Sequence, residues 1–363
     1  MANQLWTLDD LKAWTRGLMR ERRVVAPTAT PAGPVWAVVR DPDAVAWDYG
    51  RTAVSPREWL LPRHEALFAY DLAANPPRLA EAGIEAPPTA LLLARPCDVA
   101  GLRALDAVMR WDYTDEPYEA RRAATLLVAL GCAAAPSPES CFCASTGVDP
   151  AWAPQADVMI APAGAGFSVT PLTNAGQVAL ASAPKPASDR PAAGAGAPAP
   201  RPAATLEPGR AGTLPVDVAG ARAALRASFD DPLWEELSEA CVGCGTCAYV
   251  CPSCHCFDVV DEGDWRRGER VRNWDACAFG HFTAHASGHN PRPRQSLRYR
   301  QRVYHKFVYY PDKFGNLLCT GCGRCVDACP AGMDLVEVLQ QFAARPAGAD
   351  PAARPAKSEG SAR

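Results

Sequence analysis

Two short runs constrain this chain more than anything else in it. Cys241, Cys244, Cys247 and Cys251, the last followed by Pro252, are echoed by Cys319, Cys322, Cys325 and Cys329, the last followed by Pro330. Each copy reads C-x2-C-x2-C-x3-C-P, the spacing that holds cubane [4Fe–4S] clusters in pairs. Three thiolates at two-residue gaps wrap one corner of a cubane, which needs a tight turn. Gly243, Gly245, Gly321 and Gly323 let the backbone approach the cluster. The fourth Cys opens a helix that leads away, where a following Pro suits the first turn. In such pairs the fourth Cys ligates the other cluster. The expected sets are therefore Cys241, Cys244, Cys247 and Cys329 for cluster A, and Cys319, Cys322, Cys325 and Cys251 for cluster B.

Two blander readings fit less well. Structural zinc takes four ligands, usually from two C-x2-C knuckles, and leaves the third Cys and the Cys-Pro of each run unexplained. Disulfides need an oxidising compartment. The N-terminus has no basic and apolar leader pattern, and no apolar run reaches membrane-spanning length, so a soluble, cytoplasmic protein is expected. A net charge of −3 argues against a nucleic-acid partner.

The 363 residues suggest two domains. Over 7–23, Thr7 can cap a helix with Leu8, Leu11, Trp14 and Leu18 at helical spacing. A strand is expected around Val35–Val39. Ala90–Ala94 and Ala124–Leu130 are continuous apolar runs, with a third candidate at Asp157–Ile160, and a helix runs from Asp98 through Leu102, Leu105 and Val108. Continuous apolar runs suit parallel strands covered on both faces, so 1–182 reads as an α/β domain. No P-loop or dinucleotide glycine pattern occurs; Gly164 with Gly166, and Gly194 with Gly196, lack a third glycine in register.

Cys97 and Cys132 fall just past two of these strands, at the carboxyl edge where open α/β sheets bind ligands. Cys141 and Cys143 follow in the next loop. The four are candidates for a third iron–sulfur cluster, against the plainer reading of free Cys as small buried hydrophobes. A Pro/Ala-rich linker is expected over 183–212 and a structureless tail over 344–363. Between them, 213–343 reads as a mainly α-helical domain with two [4Fe–4S] clusters. Its opening helix is capped by Asp230 or Asp231, and its last helix by Asp334. About 68 positions separate Cys251 from Cys319, more than a compact two-cluster fold needs. A largely helical insertion there suggests the α-helical ferredoxin type.

That insertion is rich in Arg: Arg266, Arg267, Arg270, Arg272, Arg292, Arg294, Arg298, Arg300 and Arg302, followed by His305 and Lys306. Its basic stretch is read three ways: a solvated face, charge compensation beside anionic clusters, or a docking face for an acidic partner. Cys254, Cys256 and Cys277 are read as core or supporting residues rather than ligands, and His255, His281 and His305 as hydrogen-bonding residues.

From about Leu61 to Asp334 the chain resembles the iron–sulfur β subunit of cytoplasmic NAD(P)-linked NiFe hydrogenases (sulfhydrogenases), a family related to the iron–sulfur subunit of anaerobic sulfite reductase. The resemblance rests on Pro96-Cys97-Asp98 with Gly101-Leu102 and on Cys141-Phe142-Cys143-Ala144-Ser145. It rests equally on Cys251 to Asp258, on Trp274-Asp275-Ala276-Cys277, where the family commonly has Ser in place of Ala276, on Arg298 to Gln301 with His305-Lys306, and on Gly321 to Cys325. It implies a non-catalytic electron-transfer subunit. Its partners would be a flavin subunit that exchanges hydride with NAD(P)H and a catalytic subunit, hydrogenase or sulfite reductase. The alternative is a redox-responsive regulatory protein that signals through cluster loss.

Overall fold

The computed structural model describes residues 5–183 and 209–345; most of the expected linker and tail lies outside them. The chain begins with helix α1 (Leu8–Leu18), closed by a capping box in which Thr7 and Asp10 satisfy each other's backbone N–H groups. It ends sooner than the sequence suggests, because Arg23–Thr28 forms strand β1. Pro27 hid that strand from a sequence reading. It is tolerated because the parallel partner of β1 pairs only as far as Val25.

Strands β2 (Val35–Val39), β3 (His64–Asp71), β4 (Arg78–Glu81) and β5 (Thr89–Ala94) follow. Then come α2 (Pro96–Met109), α3 (Glu116–Ala124), β6 (Thr125–Leu130), β7 (Val158–Ala163), β8 (Gly166–Pro171) and α4 (Asn174–Ala181). The main sheet runs β2-β1-β5-β6-β7-β8, parallel from β1 through β7 with an antiparallel strand at each edge. The continuous apolar runs have the expected cause: both faces of the sheet are covered. Val24, Ala90, Leu92, Leu126 and Val128 pack with Leu11 and Trp14 of α1, whereas Val25, Leu91 and Leu127 pack with Val99, Leu102 and Leu105 of α2.

The second half contributes α5 (Val218–Ala227), α6 (Leu233–Ser238), α7 (Thr246–Tyr249), β9 (Phe257–Gly263), β10 (Arg267–Trp274), α8 (Gln295–Tyr304), α9 (Tyr310–Phe314), α10 (Arg324–Asp327) and α11 (Leu335–Ala343). Asp231 caps α6 and Asp334 caps α11, as expected. The insertion is not largely helical: β9 and β10 form a hairpin inside it. Every residue of β9 is exposed, so no buried face imposes the alternation that would betray a strand. The hairpin completes a second sheet of order β4-β3-β10-β9, in which β10 pairs antiparallel with β3 from the first half of the chain.

The two halves are therefore interlocked. Trp274, at the end of β10, buries in the core around α2 and donates its indole N–H to Leu61 O at 3.0 Å. Arg324 is wholly buried and ion-paired at 2.7 Å with the equally buried Asp98. Removing one partner of such a pair strands a charge, at a cost of about 3–5 kcal/mol. Arg324→Met should accordingly lower the thermal unfolding midpoint of the anaerobically purified protein sharply. Arg270→Met, which breaks an exposed pair with Asp261, should leave it nearly unchanged; equal midpoints would refute the interlock.

Candidate metal centres

The two C-x2-C-x2-C runs adopt the same turn. Gly243 and Gly245 have φ of +68° and +75°, and Gly321 and Gly323 have +62° and +73°. Only glycine adopts two such values so close together without strain. Each run then enters a one-turn helix, α7 or α10. The runs do not stand apart. Cys241, Cys244, Cys247 and Cys329 line one cavity, with Cys325 in its wall. Cys251 lies within electrostatic reach of both Cys319 and Cys325, and these in turn of Cys322. The structure thus brings the first three cysteines of each run together with the fourth cysteine of the other.

A third convergence joins residues from separate segments of the chain. Cys97, Cys132, Cys141 and Cys143 line one pocket together with Cys322. Cys97 is the second residue of α2, directly beyond β5. The approach to it is strained. Pairing between β5 and β6 slips between Leu91 and Ala94, and Leu93 is left-handed at φ +68°, a conformation that costs an L-residue energy and gathers at functional sites. The loop bearing Cys141 and Cys143 is pinned to the second run by Phe142 N–H, which donates to Gly321 O at 2.8 Å.

The electrostatics around these sulfurs are unusual. Lys306 is buried, with its Nζ 3.3 Å from both Cys251 Sγ and Ser253 Oγ. Burial works against its charge, but the Cys251 and Cys254 sulfurs outweigh that and hold its pKa above the usual lysine value. Arg302 is buried as well; it donates to Cys247 O at 2.8 Å and approaches Cys254 Sγ at 3.5 Å. Among the described residues neither cation has a carboxylate partner in an ion pair. Arg51 approaches Cys141 Sγ at 3.6 Å and also bonds Cys322 O and Asp327. Arg57, buried over the Trp274 ring at 3.5 Å, bonds Cys254 O. Burial, above all, pushes the Cys319 thiol up to about 11 and the Cys325 thiol up to about 12.

Lys306 lies in a π-helical turn, His305–Tyr309, between α8 and α9. Such turns recur at functional sites because they re-aim side chains inside a helix. No sequence signal marks the turn. Nor does any mark Arg51 and Arg57, which reach the cysteines from the first half of the chain. The Arg-rich insertion divides by location. Arg302 and Lys306 face the sulfurs, Arg272 is buried against Glu65 and Asp115, and Arg267 and Arg270 make exposed pairs.

The residues fit iron–sulfur clusters. Buried cations without carboxylate partners require an anion, and a cubane held by four thiolates is one. Among the described residues no three of His, Cys, Asp and Glu stand close enough to hold a single metal ion; Cys241, Cys244, Cys247 and Cys329 line one cavity instead, and Cys97, Cys132, Cys141 and Cys143 another.

Residues 240–333 match the model of a 4Fe-4S dicluster domain. Over 324 residues the chain is 29% identical to sulfhydrogenase 2 subunit beta of Pyrococcus furiosus, covering 88% of this chain and 92% of that protein. No solved structure matches the chain. Residues 240–333 are thus a 4Fe–4S dicluster domain. Over most of its length the chain is similar to a sulfhydrogenase β subunit.

The pinning of the Cys143 loop can be tested directly. A Cβ on Gly321 would lie 2.5 Å from Cys143 Cα and N, whereas one on Gly315, at φ +80°, meets nothing within 4 Å. Gly315→Ala should cost only about 1–2 kcal/mol of backbone strain. Gly321→Ala should cost more and lower the iron recovered per chain; equal behaviour of the two would show that the contact carries no weight.

Proposed function

We propose that this chain relays single electrons through three [4Fe–4S] clusters in a hydrogenase-type complex, between a flavin subunit that handles NAD(P)H and the catalytic subunit. Cys241, Cys244, Cys247 and Cys329 hold the first cluster. Cys319, Cys322, Cys325 and Cys251 hold the second, and Cys97, Cys132, Cys141 and Cys143 the third. The observation that carries this reading is that the second sulfur set adjoins both of the others. Cys325 shares the wall of the first cavity and Cys322 that of the third pocket. The first set is open to solvent, since Cys244 is exposed and its neighbour Val242 is 71% exposed.

The clusters supply one-electron chemistry; the chain's own residues insulate and tune it. Thiol ligands at every position leave no open coordination site for a substrate. Lys306 and Arg302 place positive charge against the sulfurs, which favours the more negative, reduced state. Wholly buried apolar and aromatic residues such as Phe142 and Phe307 help keep water from the second set. The absence of a dinucleotide glycine pattern fits a chain that receives electrons from a separate flavin subunit. The name of the Pyrococcus relative points to a hydrogenase partner rather than a sulfite reductase.

Iron and acid-labile sulfide on anaerobically purified protein test the count. About twelve iron per chain are expected, falling by about four in Cys97→Ser and Cys143→Ser variants; about eight, unchanged by those substitutions, would remove the third set from the path. Lys306→Met should move one cluster's midpoint potential to a more negative value in an EPR-monitored titration, with Lys306→Arg shifting it less. A positive shift would overturn the assigned role of that charge. For the relay itself, NAD(P)H should reduce the clusters only when a flavin subunit is present.

A further inference from the structure

We infer that Cys256 and Cys277 form a redox-active dithiol, separate from the three cluster sets, that exchanges with small disulfides and is re-reduced by electrons from the neighbouring clusters. The site is built by the β9–β10 hairpin. Phe257 and Trp274 are the last paired residues of its ladder, and beyond them Asp275 N–H donates to Cys256 O at 3.0 Å. Two residues later Cys277 folds back over Cys256. Its backbone N–H and its sulfur both lie close to the Cys256 sulfur. Two sulfurs already this close need only a small approach to reach the roughly 2.0 Å of a disulfide.

The pair can be reached from solvent. Both cysteines are half-buried, and both line a pocket that opens to the surface, walled also by His255, His305, Arg292 and Gln301. The pocket offers ring nitrogens, a guanidinium and an amide, which suits a small polar disulfide. On its inner side the pair reaches the relay through one residue. Arg302 lies beside the Cys277 sulfur and donates to the backbone oxygen of Cys247, a ligand proposed for the first cluster. Cys254 is excluded from the pair because its sulfur contacts Cys251, which belongs to the second set.

The chemistry balances. The Cys277 thiolate, held by Arg302, attacks one sulfur of RS–SR; that bond breaks, RS⁻ leaves and a mixed disulfide forms. The Cys256 thiol gives up its proton to the departed RS⁻ and attacks Cys277, forming the Cys256–Cys277 bond and releasing the second RS⁻. Two electrons, which reduced clusters bound at the adjoining cysteines would supply one at a time, and two protons from solvent would restore both thiols. For those electrons the inference rests on the relay reading.

The test uses the full holoprotein in a series of glutathione buffers, with alkylation and peptide mass spectrometry. A Cys256–Cys277 disulfide should appear as the buffer becomes oxidising, with iron and sulfide per chain unchanged. In a dithionite titration that disulfide form should consume two more electron equivalents per chain than Cys277→Ser, because a disulfide is a two-electron couple. Failure of the disulfide to form at any ratio, loss of iron in Cys256→Ser or Cys277→Ser, or equal electron counts would each overturn the inference. The mass-spectrometric readout on the unsubstituted protein stands even if a variant misfolds. Clusters that reduce while the disulfide persists would sink the inference and spare the relay. Clusters that cannot be reduced at all would sink the relay instead, the dithiol then being judged on disulfide formation.

Discussion

The rest of the structure depends on burying positive charge beside sulfur. Lys306 and Arg302 are taken out of water with sulfur, hydroxyl and carbonyl groups for company and no carboxylate in an ion pair among the described residues. An unpaired buried cation is among the most expensive features a fold can contain. It is stable here only if the sulfurs around it carry negative charge, as cluster thiolates do. Metal, ligands and cations therefore make one electrostatic unit, and the elements that carry them must be brought together for any of them to be stable.

That demand explains why the halves of the chain interpenetrate. Arg51 and Arg57 come from the first half to groups of the second. Trp274 and Arg324 travel the other way, into the core around α2 and onto Asp98. The loop with Cys141 and Cys143 lies on Gly321 so closely that a single added carbon would collide with it. Two freely hinged domains could not hold three sulfur sets at fixed separations, and electron transfer needs fixed separations. A sheet shared between β3 and β10 supplies part of the rigidity.

Much of the α/β region was legible because its signals are local. Sheet strands buried on both faces, β5, β6 and β7, must be continuously apolar, and they read that way. The helix caps at Thr7, Asp231 and Asp334 are set by hydrogen bonds spanning two or three residues, so they too could be anticipated. The convergence of Cys97, Cys132, Cys141 and Cys143 followed from the rule that ligands gather at the carboxyl edge of a parallel sheet. Strand β1 was masked by Pro27. Strands β3, β4, β9 and β10 were missed because their sheet is largely solvated, and without a buried face there is no period to detect.

By itself, then, the sequence determined what can be bound: the doubled cysteine spacing, with glycines in its turns, is a local pattern that suits a cubane and little else. It also determined which two strand ends, and which loop after them, carry the other four thiols. Only the tertiary structure decided what surrounds them. The partners of Lys306, Arg302, Arg51 and Arg57 lie tens to hundreds of residues away, and no local rule of spacing reaches that far. The contact of Cys256 with Cys277 is likewise a product of hairpin pairing, which gives chemical meaning to two cysteines that their positions in the chain left looking like core.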